Sequence, residues 1–216
     1  MDEFNYVFEL FALLLGLAVA EMLQGFGQVL KLRARRKANL AHPERGDDEA
    51  IKVRIGWMVP LLGLLVLVDL ATFWGGLWIA RAGIDMSMLT VFAVLVLIGA
   101  YYLVATQVFP EHPEHWPDFD QWYALQKRFV VLGIVAINVV AQGLLMASGA
   151  MPEMTPAQLA AAPAFAAASL LVFLTLPAML WLAFSRRHWL DAALILFIIA
   201  VQFFYAWAAL GVEGFE

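Results

Sequence analysis

The sequence predicts an all-α polytopic membrane protein, a single transmembrane domain over residues 1–216 with six helices and both termini on the outer side. Three observations carry that reading. Of the 216 residues, 63% are hydrophobic and only 14% charged, whereas about a quarter of a soluble domain is charged. Six apolar stretches each reach the roughly 20 residues needed to cross a hydrocarbon layer. Twelve of the thirteen lysines and arginines fall in connections that would share one side, and the positive-inside rule makes that side cytoplasmic.

The first helix is expected over about 6–30. Met1-Asp2-Glu3-Phe4-Asn5 ahead of it has neither the basic start nor the small-residue cleavage site of a signal peptide, so the helix is read as retained. Ala12, Gly16, Ala20, Gln24 and Gln28 recur at every fourth position, a small-residue stripe that lets a second backbone approach. Glu21 borders the stripe, and Glu9 lies near the outer end. The connection 31–54 begins with Lys31, Arg33, Arg35, Arg36 and Lys37 and adds Arg45, Lys52 and Arg54. This run is read as a topology determinant rather than a nucleic-acid or anionic-lipid patch. Asp47, Asp48 and Glu49 follow it in the same connection, and no aromatic residue is interleaved to stack on bases.

Helix two, about 55–80, carries Asp69, with Thr72 a turn further on. Trp74 and Trp78 flank Gly75-Gly76 near its outer end, where tryptophan is enriched at a membrane interface. Arg81 is the one basic residue expected outside. Helix three, about 86–109, holds Tyr101 and Tyr102 slightly nearer the cytoplasm and contributes least to the membrane centre. Three prolines punctuate the acidic, aromatic connection 110–127. Its Glu111, His112, Glu114 and His115 are weak candidates for a metal site, because the spacing fits no metalloprotease helix and the prolines break one. The alternative is an interfacial loop anchored by Trp116, Phe119, Trp122 and Tyr123, with its acids meeting Lys127, Arg128 or the first loop.

Helix four, about 128–149, carries Asn138 and Gln142 a turn apart; helix five, about 160–184, carries Thr175 and Pro177. Ser185-Arg186-Arg187-His188 turns the chain into helix six, about 189–210, which carries Gln202. Arg186 and Arg187 complete the basic side.

Counting inward from the basic ends places Glu21, Asp69, Asn138, Gln142, Thr175 and Gln202 at depths of roughly 15–22 Å, the middle of a hydrocarbon core about 30 Å thick. No basic residue lies in the apolar stretch of either acid, and a charged acid at that depth costs roughly 2.5–3.5 kcal/mol. The layer is therefore read either as a cation or proton site, with acids and neutral oxygens as ligands, or as hydrogen-bonded glue between helices.

Other chemistries find little support. Cysteine is absent, which removes disulfides and thiolate ligands. All four histidines lie in loops or at boundaries, against a paired-histidine haem, and the serines have no glycine elbow. No enzyme activity and no cofactor are expected. The run Leu10-Phe11-Ala12-Leu13-Leu14-Leu15-Gly16-Leu17-Ala18-Val19-Ala20-Glu21, with Tyr101-Tyr102-Leu103-Val104-Ala105, Val108-Phe109-Pro110 and Trp116-Pro117-Asp118, resembles a group of small bacterial inner-membrane proteins. The resemblance covers most of the chain and implies a bacterial inner membrane but no activity. The sequence lacks the arginine and Phe-Ser-Asp signature of small six-helix potassium channels, so their pore residues are not carried over.

The expected function is thus an oligomeric channel or transporter for protons or monovalent cations, embedded in the lipid bilayer with periplasmic termini. The competing expectation is a non-catalytic subunit or assembly factor of a larger membrane complex.

Overall fold

The computed structural model describes residues 2–41, 54–80, 87–112, 116, 118–149 and 162–209. These form α1 (Asp2–Ala41), α2 (Met58–Ala80), α3 (Met88–Thr106), α4 (Phe119–Ser148), α5 (Pro163–Phe184) and α6 (His188–Ala209), with no strand among the described residues. Each of the six is long and apolar enough to span a membrane. The chain has the build of a multi-pass membrane protein.

Helix ends follow local chemistry. α1 continues through the basic run, which was expected to open a loop at residue 31, and ends only at Ala41. Leucine, arginine, lysine and alanine are good helix formers, and the sequence holds no proline there before Pro43. Its 40 residues make a rod about 60 Å long. Ser87 caps α3 by accepting from the Thr90 N–H at 3.2 Å. α4 starts at Phe119 rather than near 128, because Asp118 caps it by accepting from the Asp120 N–H at 2.8 Å. It stops at Gly149, whose φ of 66° is the left-handed conformation that glycine adopts without strain. Pro163 opens α5, where its missing N–H costs no helical bond.

α2 is the hub. It packs against α1, α3, α4 and α6, while α5 leans on α4 and α6, and α1 on α3. Leu62, Leu65 and Val66 of α2 are fully buried with Ile134 of α4 and Ile195 and Ile198 of α6. Large apolar side chains point the other way: Leu13, Leu17, Leu170, Phe173, Trp181, Phe203 and Trp207 are all exposed. An apolar surface of that extent aggregates in water and suits lipid.

The buried side of α1 is Phe11, Leu15, Ala18, Met22, Gly25, Val29 and Leu32, spaced alternately by four and three residues, the pattern of a helix-packing seam. The stripe of Ala12, Gly16, Ala20 and Gln24 lies on the opposite, exposed face, with Gln28 half-buried. The larger apolar seam claims the core, so the stripe expected to let a second backbone approach faces outward. Phe109 wedges between α1 and α2. Its ring meets Phe26 edge-on with centroids 5.0 Å apart, and it fills the space where a Cβ on Gly25 or Gly63 would be.

The described residues of the basic connections meet at one end of the bundle. Arg33 Nη2 donates to the Gly56 carbonyl at 3.4 Å, and the Phe119 N–H donates to the Arg54 carbonyl at 3.0 Å. Trp122 Nε1 donates to the Val108 carbonyl at 3.0 Å, tying the start of α4 to the end of α3. Lys127 Nζ donates to the Ser185 carbonyl at 2.6 Å, tying α4 to the α5–α6 turn.

Candidate functional site

Asp69 sits near the middle of the hub helix and is 2% exposed. Three helices send donors to it. Tyr101 of α3 donates its hydroxyl to Oδ2 at 2.5 Å. Asn138 Nδ2 of α4 donates to Oδ2 at 3.0 Å and is 3.3 Å from Oδ1. Gln202 Nε2 of α6 donates to Oδ1 at 3.0 Å. Both carboxylate oxygens are thus held by neutral donors, which satisfies a buried acid without a basic partner. A second contact from Asn138 Nδ2 to the Ile134 carbonyl at 3.1 Å fixes its amide, and Phe73 packs on the Tyr101 ring with centroids 4.8 Å apart.

One atom stands apart. Gln202 Oε1 is buried and has no hydrogen-bond partner among the described residues. A buried amide oxygen without a donor is costly, and this one belongs to a side chain already touching the carboxylate.

Tyr101 is the member that depth counting set aside. It lies five residues from the end of α3, whereas Asp69 is eleven from the start of α2, so their backbones differ in depth by about 9 Å. A helical side chain leans towards its own N-terminus, and for α3 that direction runs deeper into the bundle. The long phenol closes the gap. Tyr102, by contrast, is exposed.

The remaining candidates do not join this cluster. Gln142 is exposed although Asn138, a turn away, is in the site. Thr175 is half-buried and its hydroxyl donates to its own helix, to the Val172 carbonyl at 2.6 Å. Glu21 is half-buried on α1, and none of the contacts to the Asp69 carboxylate comes from it. Thr72 likewise turns back on its own helix, donating to the Asp69 carbonyl at 2.8 Å. Equal depth does not place residues on the same face.

Comparison with protein-family models, with curated proteins and with solved structures finds no match. The reading of the site rests on its own geometry.

At the basic end a second polar group is buried. Lys127 and Asp191 form an ion pair at 2.7 Å, with side chains 7% and 2% exposed. Tyr123 donates to the same Asp191 Oδ2 at 3.1 Å. Lys127 was expected to meet acids of its own connection; the acid it meets is Asp191, in the first turn of α6. Arg128 places its guanidinium over the Phe184 ring at 5.6 Å. Of the weak metal candidates, Glu111 and His112 are exposed, and Glu114 and His115 lie outside the described residues. Among the described residues no three His, Asp or Glu side chains gather to hold a metal ion. Lys31, Arg35, Lys37, Arg186 and Arg187 are exposed, and Arg33 and Arg36 half-buried.

Proposed function

We propose that this is a non-enzymatic, multi-pass protein of the bacterial inner membrane, with both termini periplasmic, that binds and passes protons through Asp69. The observation that carries this reading is the composition of the carboxylate's surroundings. Tyr101, Asn138 and Gln202 all present hydrogen-bond donors to it. A sodium or potassium ion needs a shell of oxygen acceptors, and these neighbours turn N–H and O–H groups inward. A proton needs one acceptor. Gln202 Oε1 supplies it when the amide rotates, since the protonated Oδ1 then donates to Oε1 where the bare Oδ1 now accepts from Nε2. Proton uptake and amide reorientation are thereby coupled at a single side chain.

The test is proton flux into proteoliposomes. Wild-type protein should acidify or alkalinise the lumen under an imposed gradient, Asp69→Asn should abolish the flux, and Glu21→Gln should conduct as wild type does. Absence of flux in wild type, or undiminished flux in Asp69→Asn, defeats the proposal.

A second reading has its own support. The exposed stripe of Ala12, Gly16, Ala20 and Gln24 puts small residues and an amide on an outward face of α1, a composition found where membrane helices associate. On this reading the chain is a homo-oligomer, or a subunit or assembly factor of a larger membrane complex, and the Asp69 cluster is glue. A partner that co-purifies at fixed stoichiometry, together with no proton flux, would favour it.

A further inference from the structure

We propose that the basic end of α1, read from sequence as a topology determinant and not as a lipid patch, forms with Ile55 and Trp57 at the start of α2 a binding site for a phosphate group, supplied by the headgroup of an anionic phospholipid. Arg33, Arg36 and Lys37 line one shallow, open cleft of about 330 Å³ with Ile55 and Trp57, a shape suited to a headgroup that stays partly solvated and not to an enclosed ligand. The three cations come from less than two turns of one helix, and the two apolar walls come from the strand of chain that enters α2.

Arg33 is held in place. Its guanidinium stacks over the Trp57 ring at 4.1 Å and donates from Nη2 to the Gly56 carbonyl at 3.4 Å. Stacking and that one bond fix the plane of the group, yet a guanidinium carries five N–H donors in a fork that matches phosphate oxygens. A positioned guanidinium loses less freedom on binding than a mobile one.

The level of the cleft selects the lipid source over a soluble one. α2 begins at Met58 and carries no polar side chain before Asp69, so Gly56 and Trp57 lie just outside the apolar layer, at the height of headgroups. Trp57 is 73% exposed, as expected of an indole at that boundary. A phospholipid there would present its phosphate to Arg33, Arg36 and Lys37 and its glycerol and upper chain to Ile55 and Trp57. This site is independent of Asp69 and of whether protons pass.

Native mass spectrometry of the full chain in detergent micelles tests it. Phosphatidylglycerol, phosphatidylcholine and inorganic phosphate are titrated separately against wild type, Arg33→Gln/Arg36→Gln/Lys37→Gln, Trp57→Ala, and Arg128→Gln/Arg186→Gln/Arg187→Gln as a charge-matched control. The expected result is one saturable phosphatidylglycerol per chain. Its Kd rises about tenfold or more in the cleft triple variant and stays within about twofold in the control. Trp57→Ala, which leaves the charge unchanged, weakens binding as well. Saturable inorganic phosphate, lost in the cleft variant while no lipid binds, would keep the phosphate site and assign it a soluble ligand. Equal losses in the two triple variants, wild-type affinity in Trp57→Ala, or no saturable binding of either phosphate source overturns the proposal.

Discussion

Tyr101 donates its hydroxyl to Asp69 Oδ2 across 2.5 Å, joining α3 to the hub helix at a carboxylate that α4 and α6 also reach. Four of the six helices are thereby fastened through one acid.

Tyr101→Phe keeps the ring against Phe73 and removes only the O–H. Hydrogen bonds to a carboxylate contribute roughly 1.5–3 kcal/mol, so the variant should lose about that much unfolding free energy in denaturant titration. Tyr102→Phe, on the exposed face, should unfold with wild type. Equal stability of the two variants would contradict the assigned hydrogen bond.

Asn138 and Gln142 are four residues apart, yet only the first touches the acid. Asn138→Leu removes one of the three side-chain donors to the carboxylate, leaving one on each oxygen, and should cost about 1–3 kcal/mol. Gln142→Leu replaces an exposed amide and should stay within about 0.5 kcal/mol of wild type. The pair reports the rotation of α4 directly, and reversal of the two effects would mean that α4 turns its other face to α2.

Lys127 and Asp191 pair where neither is solvated. Lys127→Met strands a buried acid and should destabilise by about 3–5 kcal/mol, whereas Lys127→Met/Asp191→Leu should recover most of the loss. A double-mutant cycle on purified protein measures the coupling; additive losses would show that the ion pair contributes nothing.

The glycines separate a tight contact from an open one. A Cβ on Gly25 would overlap the Phe109 ring, whereas one on Gly16 meets nothing within 4 Å. Gly25→Ala should destabilise by about 1–3 kcal/mol through overpacking. Gly16→Ala should be neutral, or stabilise by up to about 1 kcal/mol through helix propensity. Cross-linking of Gly16→Leu in membranes adds a second readout, since the subunit reading expects a bulky side chain there to disrupt association.

Much of this architecture can be read from composition. Apolar length alone marks all six helices, and depth counting puts Asp69, Asn138 and Gln202 at one level, where the fold brings them together. The same counting adds Gln142, Thr175 and Glu21, which the fold keeps apart. Depth is one coordinate and rotation about the helix axis is another. Helices apolar on every side, such as α2, α3 and α5, carry little sequence signal for rotation. Tyr101 was hidden for a different reason: its backbone lies at another depth, and only the lean of its side chain reaches the acid. On α1 a rotational signal does exist in the alternating spacing of Phe11, Leu15, Ala18, Met22, Gly25, Val29 and Leu32, but the small-residue stripe on the opposite face is the more conspicuous pattern.

The convergence on Asp69 also has a timetable. Gln202 follows Asp69 by 133 residues, so at about 5–20 residues per second the ribosome delivers the last donor roughly 7–27 s after the acid. During that interval the newly made α2 carries a carboxylate whose shell is incomplete, first without α3, then α4, then α6. The order of synthesis leaves the shell of Asp69 incomplete until α6, the last helix, has been made.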